Sequence, residues 1–436
     1  MTTLPNNASK RILILASKLG YQTRSFAGAA KKLGVDIVFG TDRCHKLDDP
    51  WSDGALALHF EQPQQAAEEI IAQWKGTRPG GVLALGDRPT PTAAYALRAF
   101  DLPGNSVKSV EICRNKLLQR QTLRAAGLPV PGFHSFALEE NIDRVAAEIL
   151  FPCVVKPLML AASQGVMRAN DRNELSEAVH RIRALLGSPE IQVTREGGLD
   201  RYLVEDYVPG GEVAVEGLLT EGQLRILAIF DKPDPLEGPF FEETIYVTPS
   251  RLPESTQRAI AKCAQESIRA LGLASGPIHA EFRINDSGPW VLEIAPRPIG
   301  GLCSRALRFG KGSEKTSLEE LILRHALGLP QSDLPREKSA AGVLMIPVPR
   351  SGILERVEGT KGAESVPNIE SVEITARLHD YIAAWPEGSS YLGFIFSRAE
   401  TPERAEEALR AAHARLNFVL TSRLPVEHPV TGRVQR

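Results

Sequence analysis

Cysteine is scarce in this 436-residue chain, and the five present stand apart. Cys44, Cys113, Cys153, Cys263 and Cys303 form no C-x-x-C pair, which excludes a zinc knuckle and leaves no even framework for disulfides. That usage fits a reducing cytoplasm better than export. Long apolar runs are missing too. The run "ILILA" at residues 12–16 is far shorter than a signal h-region or the roughly 20 residues that span a bilayer, so no membrane partner is expected. Nor is there a surplus of positive charge: 51 Lys and Arg face 53 Asp and Glu, a formal net charge of −2. Without a basic excess nothing favours a phosphate backbone, so nucleic acid is not expected as a partner and any phosphate bound is small. The first strand is followed by "SKLGYQ" rather than G-x-G-x-x-G, so the dinucleotide signature is lacking as well.

What is present is a folded composition, 43% apolar and 24% charged, over a length that implies two or three domains. Residues 1–108 alternate short apolar runs with helical patterns ("RILILA", "SFAGAAKKLG", "VDIVFG", "GVLALGD", "TAAYALRAF"), which predicts a small parallel α/β unit of Rossmann-like type. From Ser109 the pattern "SVEICRNKLLQRQTLRAAG" reads as a helix closed by Gly127, opening a second unit over 109–335. Strand "CVVKP", a polar loop through Gly165, a helix near 173–187 and strands "YLVEDYV", "EVAVEGLLT" and "QLRILAIF" make that unit α+β. A helix over 254–272 then precedes the strands "PIHAEFRI" and "PWVLEIAP", joined by the turn "NDSG". Strand-like runs return after Lys338, and the helix "TPERAEEALRAAHARL" closes a third, small α+β unit over 336–436. The fold class read from the chain is therefore α/β and α+β, multidomain.

The chemistry concentrates on that hairpin. Glu281 and Glu293 fall mid-strand on adjacent strands, and two like charges so close call for a cation between them. Hard oxygen donors with no His or Cys cluster favour Mg²⁺, which shares its shell with substrate phosphates. Lys116 and Lys156, the latter ending an apolar strand, are candidate phosphate contacts, and Ser163, Gln164 and Gly165 form a small-residue loop able to close over phosphates. Pro209-Gly210-Gly211 stops a strand, where an extended hinge can hydrogen-bond an adenine edge and Glu212 can reach a ribose hydroxyl. Each feature alone has a plain reading: a snorkelling lysine, an ordinary loop, a solvated acid. The segment at 231–244 is polar and aromatic between two strands; it reads equally as a specificity loop contributing Asp231, Lys232 and Glu243 or as a solvated surface loop.

Taken in order, lysine, strand lysine, small-residue loop, acidic hinge and paired acids ending in Arg-x-x-Gly-Gly resemble the ATP-grasp superfamily over about residues 109–311. The resemblance implies an ATP-grasp fold and ATP as cofactor. It places Lys116, Lys156, Ser163, Gln164 and Gly165 at the phosphates, Glu205, Asp206 and the backbone at Val208 at adenine, Glu212 at ribose, and Mg²⁺ on Glu281 and Glu293. "IHAEFRI", "EIAPRPIGG" and the region after Lys338 further resemble bacterial L-amino-acid ligases, which join two amino acids. That likeness implies an ATP-dependent carboxylate–amine ligase working through an acyl phosphate and releasing ADP and phosphate on small carboxylate and amine substrates, in a family where homodimers are common. Arg297 would stabilise the transferred phosphoryl oxygens and the oxyanion, and the backbones of Gly300 and Gly301 would approach a substrate carboxylate. His279 reads equally as a substrate-binding or proton-shuttling group and as a core histidine. The chain departs from the family at Ala295, where Asn is common, which removes a protein oxygen from one Mg²⁺, and in a lid with a single glycine. A carboxylating or formylating relative and a non-catalytic ATP-binding protein are the alternatives.

Overall fold

The computed structural model describes residues 11–17, 20–42, 55–311, 313, 315–330 and 334–422, together with the short strands Val426–Glu427 and Val434–Gln435. Cys44 lies outside these residues. The run "RILILA" becomes the strand Arg11–Ala16 inside a parallel sheet ordered Ala55–Ala57, Asp36–Thr41, Arg11–Ala16, Gly81–Leu85. Ile12, Leu13, Ile14 and Leu15 are fully buried; a parallel strand covered on both faces needs an unbroken apolar run rather than an alternating one. Ligands of such sheets gather at the carboxyl ends of the strands. Here the end of Gly81–Leu85 presents Gly86 and Asp87 to a cavity shared with the rest of the chain.

The predicted single helix from Ser109 is two helices, Val107–Arg114 and Lys116–Ala125. The side chain of Asn115 accepts from the N–H groups of Leu117 and Leu118 and so caps the second helix, an alternative to helix continuation that Asn side chains offer readily. The break sets Lys116 at a helix start. Beyond it, an antiparallel sheet is ordered Phe133–Ala137, Arg201–Asp206, Cys153–Pro157, Met167–Ala169. Helices Ile142–Glu148 and Arg172–Leu186 bury Val145, Leu175, Val179 and Ile182 against it.

A second antiparallel sheet of eight strands forms the body. Its order is Gly288–Ala295, Gly276–Asn285, Gly211–Thr220, Gln223–Lys232, Ile245–Thr248, Ala340–Ile346, Gly393–Ala399, Ile369–Ile374. Three of these strands come from beyond residue 336, the expected start of a third unit. The junction is Ile245–Thr248 against Ala340–Ile346 with Ile245 opposite Leu344, and every residue of both strands is buried. Such strands expose no free edge and must be paired on both sides. One buried cluster contains Phe26 of the first unit, Phe230 and Leu302 of the second and Phe394 of the third, so the three units share a core around the site.

Candidate active site

Between the two antiparallel sheets, with the end of the parallel sheet beneath, lies a cavity of about 300 Å³. The turn Asn285–Gly288 starts the hairpin above it and carries the pairing as far as Phe282 opposite Val291; a one-residue shift at Leu292 then puts Glu281 opposite Glu293. Directly opposed residues of an antiparallel pair project from the same face with Cβ atoms roughly 5 Å apart. Both line the cavity. Glu293 has no side-chain hydrogen bond or ion pair among the described residues, and it faces the guanidinium of Arg297 closely enough to help hold that group charged.

Glu281 is differently placed. It accepts from His279 Nε2 at 3.2 Å and from Lys232 Nζ at 3.1 Å. The Lys232 ammonium also donates to Glu212 Oε1 at 2.7 Å and to Glu243. These three carboxylates, Glu212, Glu243 and Glu281, are close enough together to hold a metal ion, but the ammonium already sits among them. Burial favours the neutral amine; the three carboxylates outweigh it and keep Lys232 firmly charged. Of the loop at 231–244, Lys232 and Glu243 therefore belong to the site. Asp231 does not: strand alternation turns it to the opposite face, where it accepts from Ser250, from the Arg251 N–H at 2.8 Å and from Arg251 Nε at 3.2 Å.

His279 is buried between two acids, with Nδ1 on Glu216 and Nε2 on Glu281. Burial alone would lower its pKa, but the carboxylates, Glu216 foremost, raise it to about 9. At neutral pH it is an imidazolium that donates from both nitrogens. Glu216 in turn accepts the Ile299 N–H at 3.2 Å, so the histidine ties Glu281 to the turn at residues 297–301. In that turn Arg297 Nε donates to Asp87 Oδ1 at 3.1 Å. Burial would raise the Asp87 carboxyl, but the guanidinium holds it below the usual carboxylate range. Gly301 has φ 62°, and a Cβ there would stand 3.0 Å from the Phe394 ring, so a side chain would be strained and would press on that ring. A Cβ on Gly300 would meet nothing within 4 Å, so its surroundings alone do not demand glycine.

The opposite wall is basic. Lys156 Nζ lies 2.6 Å from Glu205, which also takes Arg120 through both carboxylate oxygens at 2.7 and 3.3 Å. Burial pulls Lys156 down, against the attraction of Glu205, to about 8. Lys116 Nζ donates to the Leu160 carbonyl at 2.5 Å. Lys116, Lys156, Ser163, Glu205, Asp206, Val208 and Glu212 all line the cavity. Several are already engaged: Glu205 by its two cations, Glu212 by Lys232 and Arg283, and the Val208 carbonyl by Arg283 Nη1 at 2.8 Å. Gln164 and Gly165 do not line it. They face the chain near residue 387, and Gly165 is fixed by packing, with φ 73° and space for a Cβ only 2.8 Å from Pro157.

Asp87, Arg120, Glu216 and Arg283 are among the site residues that sequence reasoning missed. Arg120 carried the clearest signal, standing one helical turn after Lys116 among buried positions. The donor set fits the groups the fold implies: paired carboxylate oxygens, one without a protein partner, suit a dication, and two lysines across the cavity suit a phosphate tail.

Residues 149–306 match the ATP-grasp domain family, and residues 344–421 match L-amino acid ligase C-terminal domain 2. The chain is 28% identical over 342 residues to an uncharacterized protein of Sinorhizobium fredii, covering 76% of this chain and 66% of that one. It is 25% identical over 336 residues to alanine–anticapsin ligase of Bacillus subtilis, covering 72% and 70%. It thus spans about two thirds of the length of these relatives. The crystal structure of L-amino acid ligase from Bacillus licheniformis superposes with a TM-score of 0.80 at 28% identity, over 96% of this chain and all of that one.

Proposed function

We propose that this protein, an ATP-grasp carbon–nitrogen ligase carrying an L-amino acid ligase C-terminal domain, joins an amino-acid-like carboxylate to an amino-acid-like amine in the cavity between its two antiparallel sheets. The observation that carries the reading is the register of Glu281 against Glu293, facing Lys116 and Lys156, with Arg297 beside them. When bound, ATP with Mg²⁺ supplies the phosphoryl group that makes the carboxylate an electrophilic acyl phosphate, ADP leaving and the amine then displacing phosphate.

The chain's own residues prepare that chemistry. Lys116 and Lys156 balance the phosphate charge, Glu293 and Glu281 offer the hard oxygens for Mg²⁺, and the nucleoside end lies by Asp206, Val208 and Glu212. Arg297, its Nε held by Asp87 and its Nη1 by the Pro298 carbonyl, directs Nη2 to oxygens that gain charge in the transition state, where a preorganised donor is worth most. The backbones at Gly300 and Gly301 admit a substrate carboxylate. Doubly engaged by acids, His279 positions Glu281 and the 297–301 turn instead of moving a proton. Ala295, opposite His279 in the hairpin, brings no oxygen, and Lys232 already balances Glu281 on its far side. Both features support a single Mg²⁺. The buried free thiols of Cys113, Cys153, Cys263 and Cys303 suit the reducing cytoplasm.

The test is a phosphate-release screen of amino-acid pairs with ATP and Mg²⁺, read with mass spectrometry of the products. Amide formation with equal ADP and phosphate is expected. ADP formed with bicarbonate or formate and no amino acid, or no turnover across a broad panel, would overturn the reading.

A further inference from the structure

The loop that closes the phosphate end of the cavity is poorly able to hold its own shape. Ala161, Ala162 and Ser163 line the cavity, and Ala162 and Ser163 sit consecutively in the left-handed region with φ 56° and 53°. Non-glycine residues pay for that conformation in steric strain and keep it only where the surroundings impose it. Inside the loop two backbone bonds are formed, Gln164 N–H to the Ala161 carbonyl at 3.2 Å and Val166 N–H to the Ser163 carbonyl at 3.1 Å.

The imposed part comes from a segment more than 200 positions later. Trp385 Nε1 donates to the Ala162 carbonyl at 3.2 Å. The Gly165 N–H donates to the Pro386 carbonyl at 2.8 Å, and Gln164 Nε2 donates to the Glu387 carbonyl at 2.7 Å. The Glu387 carboxylate takes Arg181, on the helix behind the loop, through both oxygens at 2.7 and 2.8 Å. The same segment reaches the other end of the cavity: the Trp385 ring lies 4.9 Å from that of Tyr391, which lines the cavity near Met345 and Cys303.

We propose that residues 385–391 of the C-terminal domain are positioning residues for the ligase reaction. They clamp the 161–165 loop over the phosphates from outside, through the contacts of Trp385, Pro386 and Glu387, with Trp385 braced in turn against Tyr391. This rests on the nucleotide placement proposed above. It gives the appended domain a task in the reaction cycle: water is kept from the phosphoryl group while the loop is held closed, which is what a lid provides.

The test uses Trp385→Phe, which removes the N–H while keeping an aromatic ring against Tyr391, and Glu387→Gln, which removes the charge facing Arg181. Hydrogen exchange over residues 160–166 is measured in nucleotide-free protein, and equilibrium binding of Mg²⁺ with a non-hydrolysable ATP analogue is measured beside it. Loss of one hydrogen bond is expected to accelerate exchange in the loop and weaken analogue binding by about five- to tenfold, raising KM for ATP with little change in kcat. The swap Arg181→Glu with Glu387→Arg is expected to recover most of what Glu387→Gln loses. If loop exchange and analogue binding are unchanged in both single variants, with wild-type melting curves, the clamp does not exist. Should Trp385→Phe fail to fold, Glu387→Gln and the swap decide alone. Exchange in the nucleotide-free protein needs no turnover, so failure of the ligase reading and failure of the clamp are separately visible.

Discussion

Lys156 enters the cavity with its charge already under strain. Burial and the neighbouring Arg120 act against the ammonium, Glu205 acts for it, and the balance leaves it near 8 instead of the usual 10.5. Phosphate binding favours the charged amine, so above about pH 8 the free protein must take up a proton to bind nucleotide. Affinity for ATP is therefore expected to fall as pH rises from 8 toward 10, by up to about tenfold per unit. Calorimetric titrations at successive pH values would show it, and Lys156→Met should flatten the profile. Glu293 offers a contrast, because among the described residues it makes no side-chain hydrogen bond or ion pair that a neutral amide would lose. Glu293→Gln is expected to keep the wild-type melting temperature while turnover drops by roughly 10²-fold or more; a variant with intact turnover would remove the metal assignment. Lys232 is the reverse case. Lys232→Met leaves Glu243 without its ammonium partner, and Glu212 and Glu281 with Arg283 and His279 alone, and a loss of about 3–5 kcal/mol in chemical denaturation is expected. Added Mg²⁺ should raise the melting temperature of that variant more than that of the wild type, since the three carboxylates are spaced to accept an ion.

At the scale of elements, the sequence was most legible where local rules act alone. The hairpin strands Gly276–Asn285 and Gly288–Ala295 follow from alternation and the "NDSG" turn, and the helix Glu254–Leu271 from its apolar spacing and Gly272. The break at Asn115 was not legible. Helical periodicity runs through it without Gly or Pro, and only the Asn side chain, bonding back to Leu117 and Leu118, ends one helix and begins the next. Asn115→Ala is expected to cost about 1 kcal/mol and, by fraying the start of Lys116–Ala125, to raise KM for ATP through Lys116. Urea denaturation and steady-state kinetics would measure the two effects. The lid loop was half legible. Its small residues marked it, but Gln164 and Gly165 turn out to serve its anchoring while Ala161, Ala162 and Ser163 face the cavity.

Across the whole molecule, the site draws on all three units. Asp87, at the end of a strand in the parallel sheet, holds Arg297 of the hairpin corner, and Met345 and Tyr391 close the cavity from the C-terminal side. Asp87→Asn removes the charge that orients the guanidinium, so kcat is expected to fall by about tenfold with ATP affinity nearly unchanged; pre-steady-state ADP formation would separate the two. Strands of the unit expected after residue 336 extend the central sheet, because Ile245–Thr248 is buried on both faces and needs a neighbour.

The sequence by itself determined which chemical groups the protein has and in what order, since alternation, turn residues and caps act over a few positions. That Glu281 meets Glu293 does not follow from the local turn, whose register alone would oppose Glu281 to Leu292; a one-residue bulge in the hairpin brings Glu293 there. Tertiary structure alone decided which of those groups are free. Glu205 is committed to Arg120 across 85 positions, Arg297 to Asp87 across 210, and Gln164 to the chain at Glu387 across 223. No local periodicity encodes pairings at such separations; they arise when apolar faces of distant elements pack and bring their charged edges into one cavity, where each buried ion must find a partner.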